Sequence, residues 1–183
     1  CSIASSHKLD CKFEGLEPST EYEVSVSSCV ARKEIFVCSE EVVASGWTKP
    51  NTPKSVTVNP RTSSSLDVVV VAPSDASGIS RYEAFVVRDP SKACTITSLD
   101  KPECQLEGLE AGTVYVVKVK ACVSNTDPPV CSRHRRVLGW TKPNAPTSVR
   151  VIPDTASSIM VEFEAPSDAK GITNYEVSLV GAD

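Results

Sequence analysis

The chain repeats itself at a fixed spacing of 93 residues, and a fixed period decides an architecture before local propensity does. Cys1, Cys11, Cys29 and Cys38 return as Cys94, Cys104, Cys122 and Cys131 without a slip in register. Gly46-Trp47-Thr48-Lys49-Pro50-Asn51 returns as Gly139-Trp140-Thr141-Lys142-Pro143-Asn144. Pro73-Ser74-Asp75-Ala76, Gly78-Ile79 and Tyr82-Glu83 return as Pro166-Ser167-Asp168-Ala169, Gly171-Ile172 and Tyr175-Glu176. One structural unit is therefore about 93 residues long, and the 183 residues hold two periods less three.

Inside the unit, turn signals separate short runs in which apolar residues alternate, the pattern of an all-β sandwich. Val56 and Val58 predict a first strand, Leu66, Val68 and Val70 a second, and Tyr82, Ala84 and Val86 a third. A fourth lies near Cys94 to Thr97, and a fifth carries Cys104 and Leu106. Tyr115, Val117, Val119 and Ala121 mark a sixth, and a seventh lies near Ser132 to Leu138. No helical period competes with this alternation.

The residues Gly15-Leu16-Glu17-Pro18-Ser19-Thr20-Glu21-Tyr22 with Val24 and Val26, and again Gly108-Leu109 with Tyr115, Val117 and Val119, resemble the fibronectin type III family over essentially the whole chain. The resemblance implies tandem seven-stranded sandwiches of two antiparallel sheets, with strands lettered A to G. It also implies a tyrosine corner, in which the tyrosine hydroxyl is bonded back to the backbone ahead of strand F. The tryptophan usual in strand B of that family is replaced by Val70 in one copy and Phe163 in the other, and the four cysteines per unit are additions.

On this alignment residues 51–143 form one complete module, 1–50 match the C-terminal half (strands C′, E, F and G) and 144–183 the N-terminal half (A, B and C). Asp183 corresponds to Pro90 and Cys1 to Cys94, so both edges fall in the C to C′ loop, and the expectation is a protein cut there. A window on a longer continuous array predicts the same domains. A half module exposes a sheet face and unpaired strand edges. Joining the two kinds of half would bury Ile159, Val161, Phe163, Tyr175 and Val177 against Phe13, Leu16, Tyr22, Val24 and Val26, by strand addition in both sheets. The proline-containing joints are too short for the halves of one chain to meet, so the expected partner is another copy of the chain, head to tail.

Eight cysteines, with Cys1 in place of an initiator methionine, read as disulfides of a processed, secreted, extracellular protein. Four cysteines per unit allow three connectivities. The local pairs, Cys1 with Cys11, Cys29 with Cys38, Cys94 with Cys104 and Cys122 with Cys131, suit the fold, and loops of this size contribute roughly 2 to 3 kcal/mol each. Metal-ligand spacing is missing. Neither His7 nor His134 recurs in the other unit, and no phosphate loop or nucleophile elbow is present, so neither catalysis nor a cofactor is expected. A net charge of -4 lacks the basic footprint of a nucleic-acid binder, and the longest apolar run, Val68 to Ala72, is far short of the ~20 residues of a membrane span. The basic cluster Arg133 to Arg136 suits either an acidic glycan or the protection of an edge strand. Trp47 and Trp140 either stiffen the joints, stacked with prolines and Lys49 or Lys142, or are ordinary core or surface residues. The expected function is structural, a fibre or matrix of end-to-end modules. Its rival is an adhesion or receptor ectodomain whose loops bind an extracellular protein or glycan.

Overall fold

The computed structural model describes residues 9–32, 35–124 and 126–181. Its strands are β1 (Glu21–Val26), β2 (Cys29–Arg32), β3 (Ile35–Cys38), β4 (Val42–Trp47), β5 (Ser55–Pro60), β6 (Ser65–Val71), β7 (Arg81–Val86), β8 (Ala93–Ile96), β9 (Glu103–Glu107), β10 (Val114–Cys122), β11 (Arg135–Trp140), β12 (Ser148–Thr155) and β13 (Ser158–Glu164). Among the described residues no helix is long and apolar enough to cross a membrane.

The centre of the chain is a closed two-sheet sandwich. One sheet runs β5-β6-β9 and the other β11-β10-β7-β8, all pairs antiparallel. This A-B-E and G-F-C-C′ arrangement is a fibronectin type III-like fold, the all-β class that the alternation predicts. Every second residue faces inward: Leu66, Val68 and Val70 of β6, Tyr82, Ala84 and Val86 of β7, and Val117, Val119 and Ala121 of β10 are buried, joined by Ile96 and Leu106. Gly139 of β11 is where a side chain would collide with Val58, so strand G can lie close over β5 only because that residue lacks a Cβ.

Three disulfides reinforce the described strands. Cys94 and Cys104 tie β8 to β9 with Cα atoms 6.1 Å apart, and since these strands belong to different sheets the bridge closes one side of the sandwich. Cys122–Cys131 and Cys29–Cys38 close the hairpins after β10 and β1. Cys11 is also disulfide-bonded, while Cys1, assigned to it from the sequence, lies outside the described residues.

The seventh strand starts later than the alternation suggests, at Arg135 rather than near Ser132. Pairing passes from Val119 opposite Arg135 to Cys122 opposite Cys131, so one extra residue is accommodated between them as a bulge. Ser132 fastens it: the Ala121 amide donates to Ser132 Oγ at 3.0 Å and the Ser132 amide to the Ala121 carbonyl at 2.8 Å. Ser39 does the same for Ser28, at 3.1 and 2.9 Å.

The flanking segments are less complete than the strand pattern suggests. Residues 9–20 contain no strand, although the sequence predicts strand E around Cys11 and Phe13; the predicted C′ strand begins in residues outside the description. Residues 172–180 contain no strand either, although Tyr175 and Val177 predict strand C. Neither segment has an adjacent paired strand among the described residues. In the sandwich β9 hydrogen-bonds to β6, and β7 to both β8 and β10. An extended segment with no adjacent strand has no ladder to hold it. The strands described in the flanks form pairs, β1 on β4 and β12 on β13, with the β2–β3 hairpin beside the first.

Glu83 on the outer face of β7 accepts from Arg81 Nε at 2.8 Å and lies 3.0 Å from Lys120 Nζ. Burial pushes its carboxyl up, and the hydrogen bonds and charges of Lys120 and Arg81 outweigh burial and hold it below the ordinary 4.5. A depressed folded-state pKa adds stability above the unfolded-state value and loses it as pH falls through the folded one. Glu83→Gln should therefore cost up to about 1 kcal/mol at neutral pH. In denaturant titrations, the difference from wild type should shrink as pH drops below 4.5.

Candidate functional site

The sequence predicts no catalytic centre, so the candidate sites are surfaces: the joints between repeats and the apolar faces of the flanks. The joints begin at the tyrosine corner. The Glu17 amide donates to Tyr22 Oη at 3.0 Å, and the Glu110 amide to Tyr115 Oη at 2.7 Å. Each bond pins the turn that carries the joint's next residues.

Thr48 and Thr141, inside the repeated hexapeptide, lock that turn to the end of strand G. Thr141 Oγ1 donates to the Glu110 carbonyl at 2.7 Å and accepts from the Thr113 amide at 3.0 Å. Thr48 Oγ1 makes the same pair of bonds with Glu17 and Thr20, at 2.6 and 3.0 Å. Three residues on, Asn51 Nδ2 donates to the Asp75 carbonyl at 3.1 Å, and Asn144 Nδ2 to the Asp168 carbonyl at 3.2 Å, so the linker is fastened to the loop after the next strand pair. That loop is held by its own aspartate, which accepts from the amide two residues on: Ser77 to Asp75 and Lys170 to Asp168, both at 3.0 Å. The hexapeptide was visible in the sequence; these roles of its Thr and Asn were not, because they depend on what the turn and loop place beside them.

The two loops touch through residues in the left-handed region. Ser19 and Gly112 occupy one equivalent position, with φ of 53° and 54°, and Gly78 and Gly171 the other, at 69° and 73°. A Cβ added to Gly78 would stand 2.5 Å from that of Ser19, and one on Gly112 would strike the Lys170 carbonyl. Glycine thus answers both φ and closeness at Gly78, Gly112 and Gly171, whereas Ser19 holds the φ of Gly112 with a side chain in place. The second joint also has an ion pair between Lys170 and Glu110, which the first lacks because Ser77 stands in the place of Lys170.

The second surface is apolar. Phe13 is 52% exposed where its counterpart Leu106 is 0%, Val26 65% where Val119 is 0%, and Tyr175 38% where Tyr82 is 1%. Leu16, Val24, Ile159, Phe163 and Val177 are likewise exposed, and Tyr22 and Val161 only partly covered. Phe163 and Tyr175 meet with ring centroids 5.0 Å apart, beside an open groove of 240 Å³ that Val149, Val161 and Val177 also line. These ten residues are therefore on the surface, in two separate sets of five.

A third apolar feature escaped the sequence reading. The disulfide-closed β2–β3 hairpin exposes Val30, Ile35, Phe36 and Val37, whereas its counterpart after β10 is polar and proline-rich. Comparing the two copies residue by residue would have revealed it.

Two members of the basic cluster are engaged within the fold, while Arg133 and Arg136 are exposed. Arg135 donates through Nε to the Pro53 carbonyl at 3.2 Å and through Nη2 to the Lys54 carbonyl at 2.7 Å, fastening strand G to the start of β5. His134 sits edge-on to Phe85 at 5.5 Å; partial burial, then the charges of Lys118 and Lys120, depress its pKa. Glu83 lies near Cys122 and Cys131, but those sulfurs are oxidised and the carboxylate already holds two cations, so the cluster does not offer a metal its ligands. Trp140 is 56% exposed, which places it on the surface rather than in the core.

No protein-family model matches the chain. Among solved structures it is similar to a two-domain fibronectin type III segment of chicken tenascin, with 20% identity over 68% of this chain and 66% of that one and a TM-score of 0.45. It is also similar to the FN1–FN3 domains of chicken CNTN1, with 22% identity, 72% and 46% coverage and a TM-score of 0.43. The fn3 domain of human contactin 1 matches at 21% identity, 54% and 82% coverage and a TM-score of 0.42.

Ser19 is a non-glycine residue in the left-handed region, and its hydroxyl is buried without a partner among the described residues. Ser19→Gly should therefore stabilise the first joint by about 1 kcal/mol. Gly112→Ser should destabilise the second, since its Cβ meets backbone. Thermal unfolding of the two variants should shift in opposite directions.

Proposed function

We propose that this is an extracellular structural repeat protein that assembles head to tail, half modules of neighbouring chains completing one β-sandwich. The single observation carrying the reading is the match between two faces and one core: the ten exposed or partly covered apolar residues occupy the positions that, one period away, form the interior of the central sandwich. In this reading 51–143 is a whole module, 1–50 supplies strands C′, E, F and G, and 144–183 supplies A, B and C. The missing strands at 9–20 and 172–180 support it, because each lacks only the neighbour that the other half would provide.

Magnitudes make such assembly plausible without making it irreversible. An aliphatic or aromatic side chain gains about 1.5–3 kcal/mol when fully buried. For ten residues already partly covered, this gives on the order of 10 kcal/mol, comparable with the ~4–15 kcal/mol that association costs. Strand hydrogen bonds must supply the surplus, and assembly should depend on concentration. The disulfide content fits an oxidising, extracellular setting, and the Cys29–Cys38 bridge lies inside one half.

The rival reading is an adhesion ectodomain that binds a separate protein through its loops. The exposed apolar residues of strands β2 and β3, Val30, Ile35, Phe36 and Val37, favour it.

Sedimentation velocity of the 183-residue chain over a hundredfold range of concentration separates the two. Complementation predicts 19.5 kDa chains under denaturing, non-reducing conditions and particles that grow with concentration under native ones. Val24→Asp, on an exposed face outside the central sandwich, should abolish the growth while leaving the β-sheet circular dichroism in place. A wild-type chain that stays monomeric throughout would overturn the proposal and leave the loops as the binding surface.

A further inference from the structure

We infer that the two faces have a defined interchain register, copied from the central sandwich, and that this register leaves Glu176 facing Ser27 of the next chain without a cation from the paired strand. The inference rests on the complementation reading and specifies the partner, a second copy of this chain, residue by residue.

The central ladders fix the alignment. On β6 and β9, Leu66 lies opposite Leu106 and Val68 opposite Cys104. One period away these pairs become Ile159 opposite Phe13 and Val161 opposite Cys11. On β7 and β10, Ala84 lies opposite Val119 and Val86 opposite Val117, which become Val177 opposite Val26 and Leu179 opposite Val24. The 93-residue repeat has no insertion in any of these strands, so both sheets specify the same docking at once. A slip of one residue would turn Val24 and Val26 outward together.

The outer face carries the information that core packing does not. In the sandwich Glu83 sits opposite Lys120, 3.0 Å from its Nζ, and accepts from Arg81 at 2.8 Å. The corresponding residues are Glu176, Ser27 and Asn174, so the carboxylate persists while both cations are replaced by neutral residues. A cation placed at residue 27 would find Glu176 only if the chains dock in the inferred register. It would then recreate a pair whose geometry the protein already contains.

The test is a cycle of full-length variants, with the dissociation constant per contact read from sedimentation velocity. Ser27→Lys should tighten assembly by up to about fivefold, the upper end for a partly exposed ion pair, and Ser27→Glu should weaken it by a similar factor. In a Glu176→Gln background the gain from Ser27→Lys should vanish. Ser25 lies on the same sheet face two residues away, and Ser25→Lys is the register control, expected to show little dependence on Glu176. Coupling of Glu176 to residue 25 instead of 27, or equal gains from both lysines, would overturn the register while leaving complementation standing. Wild-type chains that never associate would overturn both.

Discussion

The ladders of β6 on β9 and β7 on β10 are the contacts on which the rest of the sandwich depends. Each joins a strand that precedes the loop around residues 87–92 to one that follows it, and between them they bring together Leu66, Val68, Tyr82, Ala84, Leu106, Val117 and Val119. Strand pairing and core burial here are one event, because the residues that alternate inward do so only while the ladder holds the pleat. At residues 9–20 and 172–180, where no paired strand lies alongside among the described residues, the same kind of sequence forms no strand, and Phe13, Tyr175 and Val177 are exposed.

The described covalent links lie elsewhere. Cys94–Cys104 connects strands that both follow that loop, and Cys122–Cys131 and Cys29–Cys38 each close a hairpin. These bridges restrict the unfolded chain and fix local geometry, but they do not substitute for the ladders between the early and late strands. Within the central sandwich the early and late strands are thus held together by backbone ladders and apolar packing. The joints, by contrast, rest on small polar residues and glycines at fixed positions, repeated through Thr48 and Thr141, Asn51 and Asn144, Gly78 and Gly171.

Much of the central fold was legible because its signals are local. The period-two runs of β6, β7 and β10 predict the buried faces, and the Leu–Tyr spacing predicts the corner that Tyr115 closes on the Glu110 amide. Other features depend on through-space neighbours that no spacing reveals. Arg135 reads as part of a basic cluster until Pro53 and Lys54 are seen to present their carbonyls to it. Ser132 reads as the start of a strand until the bulge it fastens appears. Tyr175 and Val177 carry as clear an alternation as Tyr82 and Ala84, yet only the latter form a strand, since alternation sets which face turns inward and a neighbour sets whether there is an inside.

By itself, then, the sequence determined the repeat length, the all-β class and the inward positions, because these follow from period and side-chain chemistry along the chain. The tertiary structure alone decided which of those positions are covered. It also decided that Thr, Asn and Gly build the joints and that Arg135 serves the fold, because burial and hydrogen bonding are settled by which segments are present to meet in space.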